Sequence, residues 1–332
     1  MAMLAALCAT ACTPTPPSLH TVEGVAQGTT YSLQWTGNPA DVDAIAVAAE
    51  LELGRLDGLL STYRTDSVLE HFNATHSIAP QALPTELIAL FGVAKRVHAA
   101  SAGCFDPTVR PLVRAWGFDT DDPAPPAAEI LEALQSSVGL DKLLILDSEH
   151  AQKAVAELEV DMSSIGQGYT AERLADVLEQ HGVANYLAEI GGEIVARGTK
   201  PGGAHWRVGV ENPAAEGGAG PAIELPAEGR AAVITSGTYR HYFDTMGRRY
   251  SHILDPRTGR PVEHHLVAVT VLGRDGASTA AWATALLCLG PEPAAAAAQR
   301  ENVAAFFWRQ EGDTATLTRS AAFETEWPGA LD

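Results

Sequence analysis

Basic residues are scarce in this 332-residue chain: 22 Lys and Arg stand against 41 Asp and Glu, a formal net charge of −19 at pH 7. A protein that grips nucleic acid through its phosphates needs a basic face, so that class of partner is excluded. A small phosphate-bearing ligand is not excluded, because backbone N–H groups, one arginine or a metal ion can supply positive charge locally. Cysteine is also rare, and none of the four stands in a CxxC or Cys/His metal spacing. Cys104 and Cys288 lie far apart and read as small buried residues; whether they pair is not legible from the sequence. The G-x-S-x-G elbow is absent, as are G-x-G-x-x-G and the Walker loop. That removes the usual serine-hydrolase, dinucleotide and nucleoside-triphosphate templates.

What is present reads as globular, since apolar residues make up 46% and charged residues only 19%. Residues 1–12, MAMLAALCATAC, are small and apolar, too short to span a bilayer, and run into TPTPPS. They read as the tail of an export signal. Ala9-Thr10-Ala11-Cys12 resembles the small-residue box before the lipid-modified cysteine of bacterial lipoproteins, and Cys12 suits it better than Cys8, which follows Leu7. The alternative is a plain N-terminal tail. The expected division is an export remnant with a Pro-rich tether over 1–18 and one folded domain over 19–332. The expected location is the periplasm, with anchoring to the inner membrane through Cys12.

Residues 21–36 carry alternating β-formers and predict strands. Asp41 is placed to cap a helix whose apolar positions, Ile45 to Leu59, recur at helical spacing. Further helices are expected at 84–100, 168–181, 279–289 and 292–300, short β-runs at 142–147 and 157–161, and a strand pair near 303–318. DTDDPAPPA (119–127) and AAEGGAG (214–220) read as loops. After Tyr186 the runs YLAEI, EIVARG, WRVGVEN, AAVIT and LVAVTVLG are short strands broken by Gly and Pro. Strand runs and helix runs are segregated, which predicts a single α+β domain of antiparallel strands with packed helices.

Five polar stretches interrupt this pattern: LSTYRTDS (60–67), GCFDPTVRPLVRAWGF (103–118), VDMSSIGQGYTAERLADVL (160–178), SGTYRHYFDTMGRRYSHILDPRTGRP (236–261) and TAAWATALLCLG (279–290). In 160–178 a strand end at Asp161 and the small residues Ser163, Ser164 and Gly166 precede a helix, an arrangement suited to a pyrophosphate, although a helix simply capped by Ser164 explains it as well. In 250–261, Asp255-Pro256-Arg257-Thr258-Gly259 is ordinary turn chemistry. That turn does not explain His252, which is either a general base or a satisfied structural histidine. The adjacent pair His264-His265 reads as surface.

In this order and spacing, and with YLAEIGGEI, the five stretches resemble the ApbE family of FAD:protein FMN transferases, exported bacterial flavinyltransferases. The resemblance runs from about Gly24 to the C-terminus. It implies an enzyme that binds FAD and Mg²⁺, breaks the pyrophosphate and attaches FMN by a phosphoester to a Ser or Thr of a partner flavoprotein, with AMP as leaving group. By similarity Gln27 and Tyr63 would contact FAD, and Cys104, Phe105, Asp106, Asp161, Gln167 and Leu254 fall on flavin-nucleotide positions. His252 would take the proton from the acceptor hydroxyl. The family usually opens its late helix with A-D-A-x-x-T, whose acid binds Mg²⁺ with the Thr; here the acid's place holds Ala280. Thr284 remains, with Ser164 or the Gly166 carbonyl as the other ligand. Either a nearby acid such as Asp275 substitutes, or catalysis is reduced. The alternatives are therefore a periplasmic FAD pyrophosphatase, with water as nucleophile, and a flavin-binding assembly factor without turnover.

Overall fold

Alternating apolar and polar residues build one eight-stranded sheet in the computed structural model, which describes residues 18–37, 42–120, 122–213, 219–312 and 314–328. Its strands are β1 (Ser18–Ala26), β2 (Thr29–Gly37), β3 (Asn185–Ile190), β4 (Glu193–Arg197), β5 (Arg230–Gly237), β6 (Leu266–Gly273), β7 (Ala304–Glu311) and β8 (Thr314–Arg319). They lie side by side in chain order, every neighbouring pair antiparallel. Tyr31, Leu33 and Trp35 on β2 and Tyr186, Ala188 and Ile190 on β3 share one buried face, the two-residue period a half-buried strand requires.

The helices are α1 (Val42–Leu60), α2 (Val68–Ala74), α3 (Thr85–Ala100), α4 (Arg110–Trp116), α5 (Ala128–Gln135), α6 (Ser163–Gln180), α7 (Gly276–Leu289), α8 (Pro291–Arg300) and α9 (Ala321–Glu326). Helices α1, α6, α7 and α8 bury their apolar stripes on one face of the sheet. The hairpin of Arg207–Glu211 with Ala219–Glu224, together with α9, covers the other face through Trp206, Ile223 and Phe323. Because both faces are covered, β5 and β6 read as nearly continuous apolar runs. Each fully buried Leu or Phe contributes roughly 1.5–3 kcal/mol. The architecture is the expected α+β domain.

Helices α6 and α7 touch backbone to backbone. A Cβ on Gly168 would lie 2.6 Å from the Gly276 carbonyl oxygen and 2.8 Å from the Ala280 Cβ, and a Cβ on Gly276 would overlap the Gly168 carbonyl. Only glycine fits at both points. Cys104, after α3, is disulfide-bonded to Cys288 in the last turn of α7, with a Cα–Cα distance of 5.8 Å.

Several expectations need correction. Residues 157–161 are not a strand: the Val160 N–H donates to Asn73 Oδ1, its carbonyl accepts from Asn73 Nδ2, and the Asp161 N–H donates to the Pro107 carbonyl at 2.7 Å. With its backbone satisfied this way, the segment has no need of a sheet partner. Helix α6 begins at Ser163 rather than 168, and Met162 is its cap residue; Ser164 lies inside the first turn and does not cap. Helix α7 begins at Gly276 because Asp275 caps it, accepting from the Ser278 N–H at 2.8 Å. His265 is exposed, but His264 is half-buried against Gly290, and burial lowers its pKa. Asp41, Cys12 and residues 214–218 of the expected loop lie outside the described residues, and Ala219–Gly220 begin a strand. Among the described residues, no helix is long and apolar enough to cross a membrane.

Candidate active site

Two walls face each other across a cavity of about 640 Å³. One wall is the segment after α3, the start of α4 and the 252–256 turn; the other is the first turns of α6, the end of β5, Glu193 on β4, and α7. Tyr63, Cys104, Phe105, Asp106, Asp161, Ser164, Gln167, His252, Leu254 and Thr284 all line the cavity, and so does Ala280. The fold thus brings together residues spread over most of the chain.

Two expected residues are not among those lining it. Gln27 sits at the β1–β2 turn with φ 52°, and it lines a separate groove of about 290 Å³ beside Glu23, Glu50 and Asp57. The Gly166 carbonyl is engaged inside α6, 2.8 Å from the Thr170 hydroxyl, which also lies 3.2 Å from Gln27 Oε1. Asp275, the expected substitute acid, is also absent from the lining, because its carboxylate is spent on the α7 cap.

On the first wall, the turn is pinned at several points. Asp255 accepts from the Arg257 N–H at 3.0 Å and from its guanidinium at 2.8 and 2.7 Å, and its carbonyl takes the Gly259 N–H at 2.8 Å. The Trp116 indole donates to the Gly259 carbonyl at 2.8 Å, and the Gln135 amide to the Pro256 carbonyl at 3.2 Å. Gly259 closes the turn at φ 70°, the left-handed region. The strand-like segment ahead of it is held just as firmly: the His252 N–H donates to the His241 carbonyl at 3.0 Å, and Nδ1 lies 2.8 Å from the same oxygen. A carbonyl can only accept, so Nδ1 carries the proton and Nε2 is the basic nitrogen. Burial lowers the pKa of His252, assisted by the neighbouring His241 and opposed by the carbonyl bond. The imidazole is therefore neutral at pH 7.

Asp106 is used differently. Its Oδ1 accepts from the Thr108 N–H at 2.8 Å and hydroxyl at 2.6 Å, and its Oδ2 from the Leu140 N–H at 2.8 Å. The carboxylate holds the Cys104–Thr108 segment in shape. Asp161 Oδ1 accepts from the Ser163 N–H at 2.8 Å and so fixes the entry to α6. Tyr63 stands at the cavity mouth, 91% exposed, an aromatic face open to a planar ring.

On the second wall, Thr284 and Ser236 face each other with hydroxyl oxygens 3.2 Å apart. The same cavity is lined by a residue to which the sequence reading gave no role. Glu193 lines the cavity with its carboxyl group enclosed by protein, and its Oε2 has no hydrogen-bond partner. Burial pushes its pKa up to about 8, against the pull of Arg240 and of the Thr235 backbone N–H. Arg110 and Arg240 also line the cavity, and Arg110 is tied to Glu70 at 2.7 Å. The signal for Glu193 was present: it is the last acid of YLAEIGGEI, following the tight Gly191-Gly192 turn.

The chain matches the model of the ApbE family over residues 27–307. It is 35% identical over 324 residues to the FAD:protein FMN transferase of Escherichia coli (strain K12), covering 94% of this chain and 92% of that protein. Among solved structures it is similar to apo Pseudomonas stutzeri flavinyl transferase ApbE, with TM-score 0.86, 38% identity, and 95% and 98% of the two chains covered. It is similar as well to flavin transferase ApbE from Vibrio cholerae, with TM-score 0.84, 33% identity, and 93% and 99% covered. With a full-length sequence match and a superposable fold in agreement, the chain belongs to the ApbE family.

Proposed function

We propose that the protein transfers FMN from FAD to a Ser or Thr hydroxyl of a partner flavoprotein, releasing AMP, in a Mg²⁺-dependent reaction. The observation that carries this reading is His252: its Nδ1–H is committed to the His241 carbonyl, and its ring stands in the wall of a cavity large enough for part of a dinucleotide. The acceptor hydroxyl gives its proton to Nε2 as its oxygen bonds to the FMN phosphorus. The pyrophosphate P–O bond breaks, and AMP leaves with the electron pair.

The donor set of the second wall fits Mg²⁺. The Ser164 and Thr284 hydroxyls and the Asp161 carboxylate, which has only Oδ1 on the Ser163 N–H, are hard oxygen donors of the kind this ion prefers. When bound, the ion would neutralise charge on the pyrophosphate oxygens. Asp106 and Asp161 keep the segments around the ligand in position, and Tyr63 offers a stacking surface at the mouth. A periplasmic location agrees with the Cys104–Cys288 disulfide, a bond that persists in oxidising compartments.

The test mixes purified protein, FAD, MgCl₂ and an acceptor domain, and reads covalent flavin fluorescence on the acceptor together with AMP. Labelling that disappears in His252→Ala supports transfer. AMP without labelling would instead indicate a pyrophosphatase, and bound FAD with neither product a flavin-binding assembly factor.

A further inference from the structure

His252 has a second imidazole beside it, put there by the hairpin that leads into it. Strand Tyr242–Thr245 pairs antiparallel with Arg248–Ser251. Met246 and Gly247 join them at φ 50° and 72°, the left-handed pair that a two-residue hairpin turn requires. The register sets Tyr242 against Ser251, so the next rung is His241 against His252, closed by the His252 N–H on the His241 carbonyl at 3.0 Å. Side chains on one rung are neighbours, and the two ring centroids lie 5.4 Å apart with their planes at 34°. The His241 ring also meets Phe118 edge-on at 5.7 Å, and Phe118 packs on Phe243 of the hairpin at 5.3 Å. Both histidines line the cavity; His241 is exposed and His252 half-buried.

Two imidazolium charges at this separation repel by the equivalent of about 0.5 pH unit in bulk water, and by more where water is excluded. A proton arriving at the pair is better solvated on the exposed ring, and once there it opposes a second on His252. The other charged groups around the cavity are engaged elsewhere. Arg110 is paired with Glu70, Arg114 with Glu159 and Asp255 with Arg257. Asp106 accepts from Thr108 and the Leu140 N–H, and Asp161 from the Ser163 N–H at the entry to α6. Arg240 acts on Glu193 across the cavity, and Asp119 is exposed beyond α4. Burial apart, what acts on the His252 charge is the His241 carbonyl and the His241 ring.

We propose that His241 is a positioning residue for the base: set beside it by the hairpin register, its imidazole takes the first proton of the pair and holds His252 in the neutral form the reaction needs. The role of His252 as base rests on the transfer reaction proposed above; the coupling of the two rings does not.

The test is a pH titration of the full chain by NMR, following the His252 ring Cε1–H, identified by its absence in His252→Gln. It needs neither FAD nor acceptor. His241→Phe keeps a ring against Phe118 and removes the charge, so the His252 midpoint should rise by at least about 0.5 pH unit. His241→Arg keeps a permanent positive charge there, and its midpoint should stay at or below the parent's. Circular dichroism melts check that each variant is folded, and His241→Gln replaces a Phe variant that is not. Midpoints within about 0.2 unit of the parent's in both variants would overturn the inference, as would an equal rise in both, which lost packing alone would give. Acceptor labelling across pH is read separately. The acid limb of kcat/KM should move with the midpoint, and a chain that labels nothing at any pH removes the transfer reading while the midpoints still decide this one.

Discussion

The two walls of the cavity are built by opposite strategies. The 250–261 side is mainly local: one turn, closed by its own Asp255, Arg257 and Gly259 and braced by Trp116 and Gln135, follows His252, whose ring is held to the His241 carbonyl eleven residues away. The α7 wall is assembled from afar, with Ser164, Glu193, Ser236 and Thr284 converging from two helices and two strands. The local wall keeps its chemistry in one residue.

The largest test of this contrast is His252→Ala. It should lower kcat/KM for transfer by about 10²–10⁴-fold, the usual worth of a positioned base, while FAD binding measured by flavin fluorescence stays close to the parent's. In the parent, burial places the imidazole pKa below its ordinary 6.5, so the base stays unprotonated as pH falls to that value; the acid limb of the kcat/KM profile should therefore fall below pH 6.5. Next is the link between the walls. Cys104→Ser with Cys288→Ser opens a loop spanning 184 residues. The chain-entropy account assigns such a loop up to about 5 kcal/mol, so denaturant melts should show a loss of about 2–5 kcal/mol. Smaller is Ala280→Asp, which places a carboxylate on α7 in the cavity lining and should tighten Mn²⁺ binding by about tenfold in direct titration. Of similar size is Gly259→Ala, which puts a Cβ at φ 70° and 3.0 Å from the Gln135 amide. A loss of about 1–2 kcal/mol in a urea melt is expected.

Legibility in the sequence follows the same division. The turn at Asp255–Gly259, the helix 84–100 and the strand LVAVTVLG could be read because their determinants are neighbours in the chain. The irregular 157–161 segment could not, because the long-range partners Asn73 and Pro107 decided it for Val160 and Asp161; the start of α7 carried a local signal, the Asp275 cap, beside a long-range one, Glu172, which receives the Gly276 N–H at 2.8 Å. Most site residues carried over from the family resemblance face one cavity, whereas Gln27 is turned into a neighbouring groove. Glu193 looked like one of several acids in a strand pattern. The lack of a hydrogen-bond partner at its Oε2 is a property of the packed interior.

The contact at Gly168 and Gly276 has a further consequence. Because one main chain rests on the other there, the gap between the two helices is set by backbone atoms, and Gly168 itself lines the cavity. The space reserved for a ligand therefore depends on two positions that tolerate no side chain, one of them in the lining itself.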